Sequence, residues 1–364
     1  MQRIYFDHNA TAPLHTKVQD SMIKLINQPL NPSSVHEEGR FARKILEKAR
    51  HTILTKLLVH DSHKLIFTSS CTEANNLALL NFPSHHKICC IFEHPSVKNL
   101  ISQQNIELDK DGIIDLNKLE RYLEKNYHRP ILISVMYANN EIGSIQPIKK
   151  IKYLAKKFNC LFHCDITQAV GRIPFSVTDI DLITLSSHKC GGPIGAAALL
   201  IKKKLNISPK ILGGGQEFGL RSGTQNLMAI QGLYTVFTIL EEITAKFMHL
   251  SGLRDHLESE LIAISPNMVI AAKNSPRLPN TSSIHMPNVD AETQLIFFDM
   301  HGFAVSAGSA CSSGKVNSSD THIAIGLKKE IAQNFIRISL GPNSTKKQVM
   351  LFIKFWQQLY QNNN

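Results

Sequence analysis

Short runs of consecutive apolar residues alternate along this chain with stretches whose apolar residues recur every three or four positions. The first kind falls at 65–68, 88–92, 131–136, 160–164, 182–185 and 196–201. Runs of this length without polar alternation predict strands buried on both faces, which is the signature of a mainly parallel sheet. The second kind predicts helices at 41–57, 71–80, 116–125 and 148–158, and a short one from Pro95. In the first of these, Phe41, Ile45, Ala49, Ile53 and Leu57 form the expected core stripe. Strand and helix in alternation predict an α/β fold with helices on both sides of the sheet. A long helical stretch at 225–247 leads out of this region. Beyond it come helices at 253–264, 291–300 and from Thr345, and strands at 268–271, 282–286 and 336–340. A Ser/Gly-rich loop occupies 306–319. This second part reads as a smaller α+β domain that also takes in the N-terminal strand, giving expected domains at 15–250 and at 1–14 with 251–364.

Composition narrows the class. The 364 residues are 43% hydrophobic and 19% charged, as in a globular protein with a large core. No apolar run is long enough to span a bilayer, and the N-terminus lacks the pattern of a secretory signal. Seven cysteines, an odd number scattered over a long chain, do not make a disulfide framework, so a reducing, cytoplasmic setting is expected. The net charge of +11 gathers in clusters such as Lys149-Lys150 and Lys202-Lys203-Lys204. With no aromatic residues among them these read as solvated helix faces, and no direct nucleic-acid partner is expected.

Thr72, His94, Asn140, Asp165 and Lys189 all lie just past the ends of predicted strands, where parallel sheets gather functional groups. Lys189 stands between Ser186-Ser187-His188 and Cys190-Gly191-Gly192-Pro193. Alone it would be an ordinary turn lysine, but a lysine shielded from water there loses its proton easily and attacks carbonyls. Ser70-Cys71-Thr72 opens a helix, where free N–H groups favour an anion, with Ser186 and His188 as further donors; an ordinary helix cap is the competing reading. Asp165 suits a protonated ring nitrogen, Gln168 a ring hydroxyl and His94 a stacked ring. Together these are what pyridoxal phosphate (PLP) requires of a protein. A metal set at Cys160, His163, Cys164 and Asp165 is not expected, because His163 would face away from both cysteines on a strand. Arg337, in an apolar strand, needs an anionic partner, either a substrate carboxylate or an internal acid. Cys311, in a loop of small residues, is a candidate nucleophile.

In the same order along the chain, the sequence resembles the cysteine desulfurases of the NifS/IscS kind, class-V aminotransferases of PLP fold type I. The resemblance runs through Tyr5-Phe6-Asp7-His8-Asn9-Ala10-Thr11, Asn31-Pro32-Ser33-Ser34, Thr72-Glu73, Glu93-His94, Asn139-Asn140-Glu141-Ile142-Gly143 and Asp165-Ile166-Thr167-Gln168. It continues through Ser187-His188-Lys189, Gly213-Gly214-Gly215-Gln216-Glu217, Arg221-Ser222-Gly223-Thr224, Ser309-Ala310-Cys311 and Arg337-Ile338-Ser339-Leu340-Gly341. It implies a mainly parallel seven-stranded sheet in the large domain, beside the smaller α+β domain carrying the cysteine loop. Lys189 would form the imine link to PLP and shuttle the substrate α-proton. Cys71, Thr72, Ser186 and His188 would hold the phosphate, with Thr224 reaching it from the other subunit of a homodimer. Asp165 would pair with the ring nitrogen, Gln168 and Asn140 would contact the ring hydroxyl or the substrate, and His94 would stack on the ring and serve as acid or base. Arg337, with Asn31, would bind the L-cysteine carboxylate. Cys311 would take the sulfur as a persulfide, release L-alanine, and pass the sulfur to an acceptor protein, either an iron–sulfur scaffold or a thiolation relay. Selenocysteine lyase or another class-V enzyme is the alternative, and a non-catalytic dimeric interaction module is a more distant one. The chain departs from the family pattern at Cys71, at Cys190 and Ile194, and in its short tail after the last helix.

Overall fold

A computed structural model describes residues 3–103, 106–308 and 319–363. The strands in chain order are β1 (Ile4–Tyr5), β2 (His63–Thr68), β3 (His86–Cys89), β4 (Ile131–Met136), β5 (Leu161–Asp165), β6 (Leu182–Ser186), β7 (Ala197–Lys202), β8 (Thr281–His285), β9 (Phe303–Ala304), β10 (Ser306–Ala307) and β11 (Phe335–Ser339). The main sheet has the order β2-β7-β6-β5-β4-β3. Pairs β3–β4, β4–β5 and β5–β6 are parallel, and β7 runs antiparallel to both of its neighbours. Five strands therefore end at one edge of the sheet, and the reversed β7 begins there.

Successive residues of these strands belong to different apolar clusters. Ile66, Leu132, Leu182 and Leu199 pack with Ala74 and Leu77 of the helix Cys71–Leu79. Leu65, Ile133, Ile183 and Leu200 pack on the other face with Ala49 and Ile53 of the helix Glu37–Lys56 and Leu233 of the helix Leu227–Thr238. Both faces are thus covered, which is why the strands are apolar throughout.

Some expectations need correction. The main sheet has six strands among the described residues, not seven. Beyond β3 the described residues form one parallel bridge, Cys90 to Ile106. Past Ile106 the chain turns back on itself, with Leu108 bridging Ile114 and Asp109 N–H donating to Ile113 O at 2.8 Å. In the helix Glu37–Lys56 the buried stripe is Ala42, Leu46, Ala49, Ile53 and Leu54, while Phe41 is 47% exposed. At 3.6 residues per turn, each step of four residues drifts by about 40° round the helix, so a stripe spaced strictly by four leaves the core. The 225–247 stretch is two helices, Leu227–Thr238 and Leu240–Met248. Thr235 and Thr238 hydroxyls donate to the carbonyls of Gln231 and Thr235 at the break, an alternative to the helical ladder. The strand expected at 268–271 is one bridge, Ile270 to Ile284.

In the second part of the chain, β10, β11 and β8 form an antiparallel sheet, and β1 pairs with β9. The N-terminal segment runs on beside β11, with Asn9 N–H donating to Ser339 Oγ at 3.0 Å. That path lays His8 and Asn9 between the two sheets, next to the strand ends.

Candidate active site

The common edge of the main sheet holds a cavity of about 160 Å³. Cys71 and Thr72 follow β2, His94 follows β3, Asn140 follows β4, Asp165 and Gln168 end β5, and Ser186, His188 and Lys189 end β6; all of them line it. Parallel strands bring these distant positions together because each crossover returns the chain to the same edge. Arg337, Asn31 and Thr224 do not line the cavity. Asn31 is exposed and its Oδ1 accepts from Ser33 N–H at 3.0 Å, closing its own turn. Thr224 is exposed. Cys311 lies outside the described residues.

Asp165 accepts from Thr167 N–H at 2.9 Å and from Asn75 Nδ2 at 3.3 Å. Burial raises its pKa, but hydrogen bonds from Thr167 and the neighbouring His163 and His94 rings carry it below the usual carboxylate value, so it is an anion. Cys71 Sγ lies 3.5 Å from Asp165 Oδ2 and 3.3 Å from Thr167 Oγ1. Burial and the Asp165 charge push its pKa well above the ordinary thiol value, so Cys71 is a hydrogen-bond donor and not a thiolate. Lys189 has no hydrogen-bond or ion-pair partner among the described residues, and burial lowers its pKa, partly offset by Asp165. Gln168 Nε2 donates to Asn9 O at 3.1 Å, and its buried Oε1 has no partner among the described residues.

His94 caps the helix Pro95–Lys98. Its Nδ1 accepts from Ser96 N–H at 3.1 Å and lies 2.7 Å from Ser96 Oγ. A backbone N–H only donates, so Nδ1 is the bare nitrogen and Nε2 carries the proton of the neutral ring. Burial and then Lys189 lower the His94 pKa. At the helix Cys71–Leu79, Ser70 Oγ accepts from Glu73 N–H at 3.2 Å, and Glu73 accepts from Ser69 N–H and pairs with Arg221 at 2.7 Å. This fixes the helix start, whose first residues, Cys71 and Thr72, line the cavity. Burial, Lys189 and Arg172 hold His188 at a pKa of about 4, so its ring is neutral.

Arg337, nearly buried, pairs through Nη2 with Asp7 at 2.5 Å and through Nη1 with Asn140 O at 3.1 Å, while its Nε has no partner among the described residues. The internal acid of the two sequence alternatives is therefore present.

The site can hold an anion at the helix start, a protonated ring nitrogen at Asp165 and a carbonyl at Lys189. The aminotransferase class-V family model matches residues 4–352. The chain is 35% identical to cysteine desulfurase IscS of Dictyoglomus turgidum, over 96% of this chain and 92% of that protein. It is 36% identical to cysteine desulfurase IscS 1 of Archaeoglobus fulgidus, over 95% and 94%. The chain belongs to the cysteine desulfurases of the class-V aminotransferase family. A NifS-like protein from Rickettsia africae, 36% identical, has the same fold with a TM-score of 0.91 over 99% of this chain and all of that one.

For a desulfurase of this family the sequence left several supporting residues unseen. His163 lies between Ser134 Oγ at 2.8 Å and Thr184 Oγ1 at 3.1 Å, and Thr184 donates to Asn75 Oδ1 at 2.6 Å. Asn75 Nδ2 reaches both Asp165 and Ser96 Oγ, the latter at 2.9 Å. Glu93 is buried and accepts from Met136 N–H at 2.6 Å, and burial pushes its pKa well above the usual value. A polar pair, Asn75-Asn76, inside an otherwise apolar helix face was the available signal for the first of these.

Proposed function

We propose that this chain uses PLP to convert L-cysteine to L-alanine, with the sulfur taken up by Cys311. The observation that carries the reading is Lys189: an unpartnered amine with a lowered pKa, in one cavity with an ionised Asp165. The orphaned Gln168 Oε1 and the cavity-lining start of the helix Cys71–Leu79 fit the same group. Lys189 would join its aldehyde, Asp165 its ring nitrogen, Gln168 its hydroxyl, and Cys71 and Thr72 with Ser186 and His188 its phosphate; His94 would cover the ring. PLP bound there supplies an electron sink for the substrate carbon attached to it.

The chain's own groups then divide the work. Arg337 would turn its free Nε to the substrate carboxylate, with Asn140 alongside and Asn31 contributing from its loop. Lys189 takes the α-proton and returns one to the carbon skeleton. The Cys311 thiolate attacks the substrate sulfur and the C–S bond breaks, leaving its electron pair on carbon and a persulfide on Cys311. His94, neutral with its proton on Nε2, would donate a hydrogen bond rather than a proton. Alanine leaves, and the outer sulfur passes to a thiol of an acceptor protein, an iron–sulfur scaffold or a thiolation relay.

The reading extends to a homodimer in which Thr224 meets the partner's phosphate site. Exposed Leu212 and Phe218, 80% and 60% accessible on the same stretch, support an interface there. Six free cysteines among the described residues support a reducing, cytoplasmic setting, and no helix among those residues is long and apolar enough to cross a membrane. The domains fall at 15–250 and at 1–14 with 251–364.

The test is alanine and sulfide release from L-cysteine with a reductant. Wild type should form both, whereas Cys311→Ala should keep the yellow of bound PLP and form neither. Equal alanine formation by the variant would remove Cys311 from the mechanism.

A further inference from the structure

Arg172, in the turn after β5, is fully buried. Its Nη2 donates to His8 O at 2.9 Å and its Nη1 to Gln168 O at 3.3 Å. Its guanidinium carbon lies 5.6 Å from the centre of the Phe247 ring. Among the described residues no carboxylate pairs with it, and its buried Nε has no partner. Burial lowers its pKa to about 10, so it is a cation at neutral pH. Taking a cation out of water without an acid beside it is costly. Three other arginines with hidden side chains each have their acid: Arg50 has Glu217, Arg277 has Glu258 and Arg337 has Asp7.

The contacts of Arg172 place it behind the cavity wall. Gln168 lines the cavity, and its Nε2 donates to Asn9 O, one residue on from the His8 carbonyl. The turn that carries Lys189 packs on the same segment. Gly171, at a φ of +72°, comes so near that a Cβ there would lie 3.4 Å from Cys190 Cβ. Ala12 N–H donates to His188 O at 2.8 Å, which ties the N-terminal segment to that turn as well. Arg172 itself does not line the cavity. Its charge acts there through the interior: burial lowers the pKa of His8, His188 and Lys189, and Arg172 works in the same direction on all three.

We propose that Arg172 is a positioning residue whose unpaired charge, set behind the cavity wall, keeps Lys189 as the free amine that attacks a carbonyl. This rests on the reading of Lys189 as the amine that joins PLP. The other groups facing Lys189 are Asp165 and Cys71, which favour its proton, Arg337, which opposes it, and the rings of His94 and His188. An ionised Asp165 in the same cavity favours an ammonium ion at Lys189, and an ammonium ion has no lone pair for a carbonyl carbon. Asp7 balances the charge of Arg337. Arg172 is left as the cation that opposes Asp165.

The experiment takes the full chain freed of PLP and finds the pH midpoint at which acetic anhydride labels Lys189, read by mass spectrometry. Wild type is compared with Arg172→Met and Arg172→Gln. The wild-type midpoint should lie below the ordinary lysine value, and both variants should move it upward by roughly one unit or more. Loaded with PLP, the variants should also show the pH at which the visible band changes moved upward, because the linked nitrogen carries its proton at the same place. Arg172→Gln keeps an amide donor for the carbonyls and lacks the charge. A glutamine variant with the wild-type midpoint therefore overturns the proposal, as does a wild-type midpoint at the ordinary value. A lower thermal midpoint with unchanged Lys189 labelling leaves Arg172 a structural role only and overturns it too. Where neither variant folds, Phe247→Glu sets an acid against the guanidinium and should raise the midpoint likewise; an unchanged midpoint there counts against the proposal in the same way. A wild type that labels as expected but never turns yellow with PLP would sink the cofactor reading and leave the role of Arg172 standing.

Discussion

Asn75 is fully buried in the helix Cys71–Leu79, and its amide meets Thr184, Asp165 and Ser96, each from a different part of the chain. Replacing it by Leu leaves the Thr184 hydroxyl and the Asp165 carboxylate short of a partner in the interior. The expected loss is about 2–3 kcal/mol, read as a lower midpoint in urea with unchanged slope. Ser96 makes a second prediction. Its hydroxyl and N–H both favour the bare Nδ1 of His94, and a proton added there would oppose them, in line with the lowered pKa. The acid limb of kcat/KM governed by His94 should therefore lie below the ordinary 6.5. Ser96→Ala removes one of the two donors and should move that limb to higher pH, which a pH profile of alanine formation checks. Asn75 did not stand out in the sequence, because its side chain acquires its role from partners 21 to 109 positions away.

Helices and strands were legible in different degrees. The strands of the main sheet are short apolar runs bounded by polar turns, and burial on both faces leaves little room for another reading. The helix Glu37–Lys56 was legible as a helix but not in its orientation, since Phe41 and Ala42 belong to adjacent stripes and the partner elements choose between them. Close approach of elements was equally hidden. The helix Leu227–Thr238 passes so near the turn after Lys189 that a Cβ on Gly232 would lie 2.5 Å from Pro193 Cδ. Gly232→Ala should push the helix and that turn apart, at about 1–3 kcal/mol. Lys189 stands four residues before Pro193, so activity should fall along with the thermal midpoint.

Among the described residues burial lowers ten imidazoles, most strongly His8, His163 and His188, to about 4, and His322, to about 3. In the unfolded chain these rings bind protons near 6.5, so the unfolded state gains protons first on acidification and stability falls as pH drops from about 6.5 toward 4. Glu93 and Glu141, with raised values, act in the opposite sense, two carboxyls against ten imidazoles. The thermal midpoint should drop by at least about 5 °C between pH 7 and pH 5, and a midpoint that rises over that range would contradict the assignment of neutral buried rings. By itself the sequence determined the strand and helix alternation and which residues stand at strand ends: Lys189, Asp165, His94 and Thr72 carry their chemistry in their type and their place in a local pattern. Only the tertiary structure decided which faces are buried, that Asp7 takes one side of Arg337, that Asn75 links Asp165 to Ser96, and that Arg172 meets the His8 carbonyl. Those are contacts between residues far apart in the chain, and local periodicity carries no information about which of two suitable partners the folded chain brings within 3 Å.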